Sequence, residues 1–444
     1  MNSGPGKAFQ KYQETEQIIL RMRSLLVQEE NFRFLDSQAQ EIYPFCTPLM
    51  ISRKTHQEIT RLVELFSLAL EQIGAQLAAN RKLARRVLQF SSALEEEFFF
   101  LDHGFGKRLP IRRLDMAMDS KGLSFLMEIN CGCPGGELDP ALVAKAYWSA
   151  ANCLEQQGLF LDPRDESLKI LLECYRDFSR TRPWMPQKPT IALLSSQAQA
   201  RFMLPECRGI AAHYRSRGYR VLVGNLEDLE ANSSSLLLGG EPVHLVFRKF
   251  STQSLRLRLE KQAAYNSREV FGAKQLWEAL CAQRICLVNP LGSTLLQDKG
   301  LLELIWETQP HLRRHLPESF VLGPGLKAKD PDLFQCILTG ECFVLKKRAS
   351  YGGRHVILDP DAIKREAVRL VEEEPDKWVA QKRVVPTRKK FLAWDGRNVR
   401  KGRFPFVLSP FGRSAFVRVG LEAAGAGPIN AHGGSATTFV MLES

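Results

Sequence analysis

Arg112-Arg113-Leu114-Asp115-Met116-Ala117-Met118, followed by Leu123-Ser124-Phe125-Leu126-Met127-Glu128-Ile129-Asn130, is the stretch on which the reading of this chain turns. The runs Arg112 to Met118 and Leu123 to Ile129 are short and apolar, and Asp119-Ser120-Lys121-Gly122 between them has the composition of a turn. Together they predict a β-hairpin. Side chains two apart on a strand share a face, so Arg113 with Asp115, and Glu128 with Asn130, are expected to point into one site. Phe125 and Met127 should then face the core. Two carboxylates and an amide oxygen are hard ligands of the kind that magnesium bound to phosphates takes. An exposed, salt-bridged hairpin is the alternative these four residues leave open. The Pro134-Gly135-Gly136 break that follows favours a site, because polar pairs at the mouth of a sheet are where sites tend to be built.

Outward from the hairpin, Asp139 and Pro140 predict a helix through Gln157, with Asp139 as N-cap and Pro140 in the first turn. Upstream, apolar residues recur at helical spacing from Lys7 to Leu35 and from Lys54 to Leu88, so residues 1–100 read as a mainly helical region. Downstream, the proline-rich stretch Arg182 to Pro189 marks a domain boundary. Thr190 to Ser195, Arg220 to Val223, Val243 to Phe247 and Ile285 to Val288 follow as short buried-type strands alternating with helices. This pattern predicts a small, mostly parallel, doubly wound sheet. Asn232 to Gly240 reads as a loop. In the last third, strands at Cys342 to Lys347 and His355 to Leu358 flank Tyr351-Gly352-Gly353, and a helix from Asp361 to Val371 leads to a strand from Trp378 to Val384.

The chain has 444 residues, beyond the size one hydrophobic core normally reaches, so two or three lobes with a cleft are expected. No run approaches the eighteen or so apolar residues of a membrane span, and Met1 to Lys7 lacks the layout of a secretory signal, which reads as soluble and cytoplasmic. Ten cysteines without a Cys-x-x-Cys pair, mostly in apolar runs such as those around Cys281 and Cys286, read as reduced thiols. A net charge of +12 attracts polyanions without choosing among them. Nucleic-acid binding predicts aromatics among the cations, and the Arg397 to Arg403 run has none, so neither nucleic acid nor membrane is expected as a partner.

Lys346, at a strand end ahead of Gly352-Gly353, has the makings of a phosphate cover, since glycine lets backbone N–H groups approach closely. A plain hairpin turn explains the same residues, and the tighter nucleotide loops, Gly-x4-Gly-Lys-Ser/Thr and Gly-x-Gly-x-x-Gly, are absent. His311 and His315 have the spacing of zinc ligands but lack the adjacent glutamate and enclose two arginines, which disfavours a metal there. His432 beside Gly433-Gly434 is a candidate for proton transfer, with a backbone-bonded loop histidine as the plainer reading.

The order of these pieces carries a resemblance. Val288-Asn289-Pro290 through Asp298-Lys299-Gly300-Leu301-Leu302, then Leu316-Pro317-Glu318-Ser319-Phe320, then Lys346 with Gly352-Gly353, then Gln381, resembles the ATP-binding part of the glutathionylspermidine synthase family. Arg113-Leu114-Asp115 with Glu128-Ile129-Asn130 and Pro134-Gly135-Gly136 looks like that family's magnesium segment, N-terminal to the ATP lysines as in the circularly permuted branch of the ATP-grasp enzymes. The resemblance covers roughly residues 100–444. It implies an α/β fold with α+β character: a circularly permuted ATP-grasp core with a Rossmann-like pre-ATP-grasp domain. The expected division is a helical region at 1–100, the magnesium-binding part of the core at 101–182, the Rossmann-like domain at 189–300, and the lobes carrying the nucleotide site at 301–444.

Carried over residue by residue, the resemblance makes Asp115, Glu128 and Asn130 magnesium ligands and Arg113 a contact to the transferring phosphoryl group. Lys299 and Lys346 would hold ATP phosphates, with Gly352 and Gly353 beside them. Gln381 falls at the adenine hinge, and Arg418 looks like the late arginine that steadies an acyl phosphate. Asn430 begins the stretch that resembles the closing loop. Cys131-Gly132-Cys133 departs from the family's small and acidic residues, which puts the substrate in question more than the ATP chemistry. The implied activity is an ATP- and magnesium-dependent ligation of a small-molecule or peptide carboxylate to an amine, through an acyl phosphate, with ADP and phosphate released. A kinase on the same fold and a non-catalytic ATP-binding module are the rival expectations.

Overall fold

The computed structural model describes residues 16–35, 40–152, 160–232, 234–261, 268–350, 355–421, 428–429 and 434–443. The hairpin forms as antiparallel strands Arg113–Met118 and Ser124–Asn130. Its turn closes because the Asp119 carboxylate accepts the backbone N–H of Lys121 and of Leu123, both at 2.9 Å. Pairing runs Arg113 with Asn130, Leu114 with Ile129 and Asp115 with Glu128, then skips Met127 to join Met116 with Leu126. The skip is a β-bulge, and it overturns the expected alternation. Leu126 and Ile129 are buried and Phe125 and Met127 only partly so, because the extra residue shifts the side-chain parity within the strand.

The hairpin hangs on a long strand, Val399–Phe411, whose second half pairs with Arg113–Met118 on one edge and with Ser414–Val419 on the other. Its first half pairs with Arg388–Trp394. Ser414–Val419 pairs with Ala436–Leu442, which runs parallel to Phe45–Cys46 and to Leu49–Ile51. Phe45–Cys46 then pairs with Arg388–Trp394, so the sheet returns upon itself. The first hundred residues are therefore not only helical. Their strands are two and three residues long, too short to show an alternation in the sequence.

Helix Arg53–Ala79 starts at Ser52, whose hydroxyl accepts the N–H of Thr55 at 3.1 Å, and buries Leu62, Phe66, Leu70 and Ile73. It has the length and apolar character of a membrane span, and half of its most apolar window is buried within the protein. Asn80 ends it and caps the next helix, Arg81–Val87, by accepting the N–H of Leu83, which splits the single pattern expected over Lys54 to Leu88. Helix Asp139–Ala151 begins one residue earlier than expected. Leu138 is its N-cap and Asp139 makes no capping bond. It stops at left-handed Asn152, and 153–159 lie outside the described residues.

A second sheet has the order Cys286–Val288, Leu245–Arg248, Ile191–Ser195, Val221–Asn225, with every pairing parallel. Within 232–240, expected as loop, Leu236–Leu238 is a strand flanked by Leu229–Ala231 and Glu241–Val243. Leu236 and Leu238 face the core there. A third, antiparallel sheet has the order Ser319–Leu322, Trp378–Lys382, Phe343–Lys347, Val356–Ile357, and helix Pro360–Glu373 helps bury its own core of Leu322, Phe343, Leu345, Ile363 and Trp378. The described cysteines form no disulfide. Cys46, Cys131, Cys174, Cys207 and Cys286 are buried, but Cys281, expected in an apolar setting, is exposed.

Candidate functional site

Asp115 is nearly buried and its carboxylate is fully engaged. Oδ1 accepts from Arg113 Nε at 2.8 Å and from Ser409 Oγ at 2.8 Å. Oδ2 accepts from Arg113 Nη2 at 3.0 Å and from Asn130 Nδ2 at 3.1 Å, and Arg418 Nη1 stands 3.7 Å away. Burial alone would raise the Asp115 pKa, but Arg113, Arg418 and these bonds outweigh it and hold the group below the usual carboxylate range. Arg418 is pushed down to about 10 by burial and by the charge of Arg113, against the pull of Asp115, Glu128 and Asp139.

Lys299 Nζ lies 3.0 Å from Glu128 Oε1 and donates to the Ser350 carbonyl at 2.6 Å. It is held by its neighbours: Asp298 forms a buried pair with Arg348 at 2.8 Å, and Arg348 reaches the Val87 carbonyl at 2.6 Å. Gly300 permits this, since a Cβ there would stand 2.6 Å from the Arg348 Nε. Lys346 comes from the antiparallel sheet and donates to Gln381 Oε1 at 2.5 Å and to the carbonyl of the bulged Met127 at 3.3 Å. Burial and the charge of Lys299 push its ammonium down to about 8, against Glu128 and Asp115, which pull it up. Gln381 sits on a central strand with partners on both edges, Ser319 and Val344. Its side chain is turned to Lys346.

The segment after the hairpin is pinned to the parallel sheet by Arg248 and Lys249, which no sequence motif singled out, and by Asn289 of the Val288-Asn289-Pro290 run. Arg248, fully buried, donates to the carbonyls of Gly132 at 2.6 Å, Asn289 at 3.1 Å and Phe250 at 3.1 Å. Lys249 donates to the Pro134 carbonyl at 3.0 Å and pairs with Glu137, and both side chains are wholly buried. Asn289 brackets Ile111, accepting its N–H at 2.9 Å and donating to its carbonyl at 2.5 Å, and also donates to the Cys131 carbonyl at 2.8 Å. Gly136 has φ of +93° and a Cβ on it would meet the Phe416 ring at 2.7 Å, so the break after Asn130 has room for glycine alone.

Arg113, Asp115, Glu128, Asn130, Lys299, Lys346, Gln381 and Arg418 are thus linked through contacts or charge around the hairpin. Gly352, Gly353, Asn430 and His432 lie outside the described residues. His315 is bonded through Nδ1 to the Ser124 carbonyl at 3.0 Å, away from any ligand role.

A hard cation fits part of this donor set. Asn130 turns its N–H toward Asp115, which leaves its carbonyl oxygen to face elsewhere, and Glu128 has a second oxygen beyond the one Lys299 approaches. Asp115 has four donors on its two oxygens, filling the roughly four acceptor positions of a carboxylate, so it takes a cation only by exchanging one of them.

Neither a protein-family model nor a curated protein sequence matches this chain. Among solved structures, a glutathione synthetase-like effector from Globodera pallida, in its apo form, is similar over 97% of this chain and 98% of its own, with a TM-score of 0.59 at 12% identity. A protein described as gamma-glutamylcysteine synthetase from Methylobacillus flagellatus matches over 86% of each chain at a TM-score of 0.39 and 12% identity. D-alanyl-alanine synthetase A from Vibrio cholerae matches over 50% of this chain and 67% of its own, at a TM-score of 0.26 and 12% identity. The first of these likenesses spans nearly the whole of both chains, and it shows that this chain shares that protein's mixed helix-and-strand fold.

Proposed function

We propose that this chain is an ATP- and magnesium-dependent carboxylate-amine ligase of the circularly permuted ATP-grasp kind. The observation that carries the reading is charge. Arg113, Arg418, Lys299 and Lys346 gather around Asp115 and Glu128, four cations to the two carboxylates nearest them, while Glu206 and Asp139 act on the arginines through the field. A magnesium-bound nucleoside triphosphate, with roughly two net negative charges, balances that excess. Lys299 and Lys346 are placed to hold the phosphates, and Arg113 and Arg418 to neutralise the charge that develops as a substrate carboxylate attacks the terminal phosphate. Magnesium, when bound at Glu128 and Asn130, supplies charge neutralisation and alignment of the phosphate oxygens. No nucleophilic side chain is required, because phosphoryl transfer asks for positioning and electrostatics. An amine then displaces phosphate from the acyl phosphate.

The direct test is Glu128→Gln, which removes one charge from a partly exposed side chain and should leave the fold intact. ADP formation with pooled amino acids, short peptides and polyamines is expected to fall by about 10²–10³. Turnover equal to wild type would sink the reading.

Lys346 makes a second test that needs only ATP. A polyanion placed beside it raises its pKa, so above about pH 8, where the free side chain has lost its proton, binding must take one up. Affinity should fall as pH rises through 8. Titration calorimetry at pH 9 in two buffers of different ionisation heat is expected to read an uptake approaching about one proton in wild type and none in Lys346→Met.

A further inference from the structure

Beside the cationic cluster is a cavity of about 50 Å³ whose walls include Asn31, Tyr43, Asp139, Arg201, Phe202 and Glu206. It lies between the start of helix Asp139–Ala151 and the first turns of helix Ala200–Ser216, which follows the end of the parallel strand Ile191–Ser195. Such a position, outside the carboxyl ends of parallel strands, is where open α/β sheets receive ligands. Glu206 joins this cavity to the hairpin, since its Oε1 accepts the backbone N–H of Gly136 at 2.8 Å and of Glu137 at 3.2 Å. On the other side, Arg418 lies within the field of both Asp115 and Asp139.

We propose that this cavity is the seat of the incoming amine, with Asp139 accepting its proton and Glu206 and the ring of Phe202 holding its positive charge. The proposal rests on the ligase reading and names the subsite of its second substrate. Two carboxylates, a tyrosine hydroxyl and an aromatic face oppose the guanidinium of Arg201, with Lys249 Nζ 3.8 Å behind Glu206 Oε1, a lining suited to an ammonium group. The space admits an ammonium head and a carbon or two, a few times the room a water needs.

Asp139 has no structural employment that would explain it. It stands in the first turn of its helix without capping it, and among the described residues no hydrogen bond reaches its carboxylate. Burial and the negative charge of Glu206, opposed by Arg418, raise its pKa to about 7. The Tyr43 hydroxyl is pushed up by burial and by the same two carboxylates, so it stays protonated. A base near neutrality is matched to taking a proton from an amine at physiological pH.

The step balances as follows. An alkylammonium gives one proton to the Asp139 carboxylate, and the freed nitrogen lone pair forms the C–N bond at the acyl carbon. The bond from that carbon to the phosphate oxygen breaks, the second proton leaves nitrogen with the departing phosphate, and Asp139 returns its proton to solvent.

Hydroxylamine separates this inference from the ligase reading, because it is uncharged near neutrality and attacks an acyl phosphate without a base. Wild type and Asp139→Asn are supplied with ATP, magnesium and pooled amino acids and short peptides as carboxylates. The nucleophile is hydroxylamine in one arm and spermidine or glycine amide in the other, and products are read by mass spectrometry. Asp139→Asn should keep hydroxamate formation and lose amide formation by at least about 100-fold. In wild type, amide formation should rise with pH through about 7 while hydroxamate formation stays flat. Amide formation undiminished in Asp139→Asn overturns the amine seat and leaves the ligase reading standing. Absence of hydroxamate from wild type overturns both.

Discussion

Replacing Asp115 with alanine is expected to destabilise the protein by about 3–5 kcal/mol and to abolish ATP turnover. The size follows from what is left behind. Arg113 and Asp115 are both nearly buried, and with the carboxylate gone Arg113 and Arg418 repel one another with only the fields of Glu128, Glu206 and Asp139 to offset them. Because Asp115 is held below the usual carboxylate range, its contribution is present above the unfolded-state pKa and is lost as pH falls through the folded one. The gap in urea midpoint between wild type and Asp115→Ala should therefore be wide at neutral pH and close in acid. Equal midpoints at pH 7 would mean that the arginines find other partners and that the pair has no structural weight. Sequence alone gave no warning of this cost, since Arg113-Leu114-Asp115 reads equally well as a pair on an open surface.

Lys249→Met carries a cost of the same order, about 3–5 kcal/mol, and its gap from wild type likewise narrows in acid, for a different reason. It leaves the Glu137 carboxylate in a wholly buried place without its ammonium. Burial already raises the Glu137 pKa, opposed by Lys249 and reinforced by Glu206, and losing Lys249 raises it further. A carboxyl whose folded pKa lies above its unfolded value adds stability below the unfolded pKa and loses it as pH rises through the folded one. Lys249→Met should thus recover toward wild type as the solution is acidified, and Lys249→Met/Glu137→Gln should restore most of the loss at pH 7. Urea unfolding of the three proteins across pH decides it, and a double variant no better than the single one would show that packing, not charge, sets the cost.

The strands of the parallel sheet were legible because each is a short, continuous apolar run between turn residues, and the hairpin because Asp119 to Gly122 punctuates it. Phe125 and Met127 misled because alternation is a local rule and the bulge is set by the pairing across the hairpin, which no single strand encodes. Phe45–Cys46 and Leu49–Ile51 were invisible for want of length. At the candidate site, the sequence singles out groups with motif company and is silent on those that act through the tertiary fold. Ser409 sits in an ordinary strand and becomes a donor to Asp115 only because Val399–Phe411 lies beside Arg113–Met118. Arg248 ends a strand of the parallel sheet, Lys249 follows it and Glu206 lies on helix Ala200–Ser216, all far in sequence from the segment they hold, so nothing nearby announces them.

The returning sheet also has a bearing on when the site comes into being. The hydrogen bond from Thr438 Oγ1 to the Cys46 carbonyl, at 2.9 Å, spans 392 positions of chain. Contacts so distant along the backbone are slow to form. A chain emerging from the ribosome can build the parallel sheet early, from segments close together in sequence, yet it must wait for its last strand before the first can be seated. On the ligase reading, nucleotide affinity would arrive only once residues 436–442 are seated, and a nascent chain stalled before residue 436 is expected to fold in part without it.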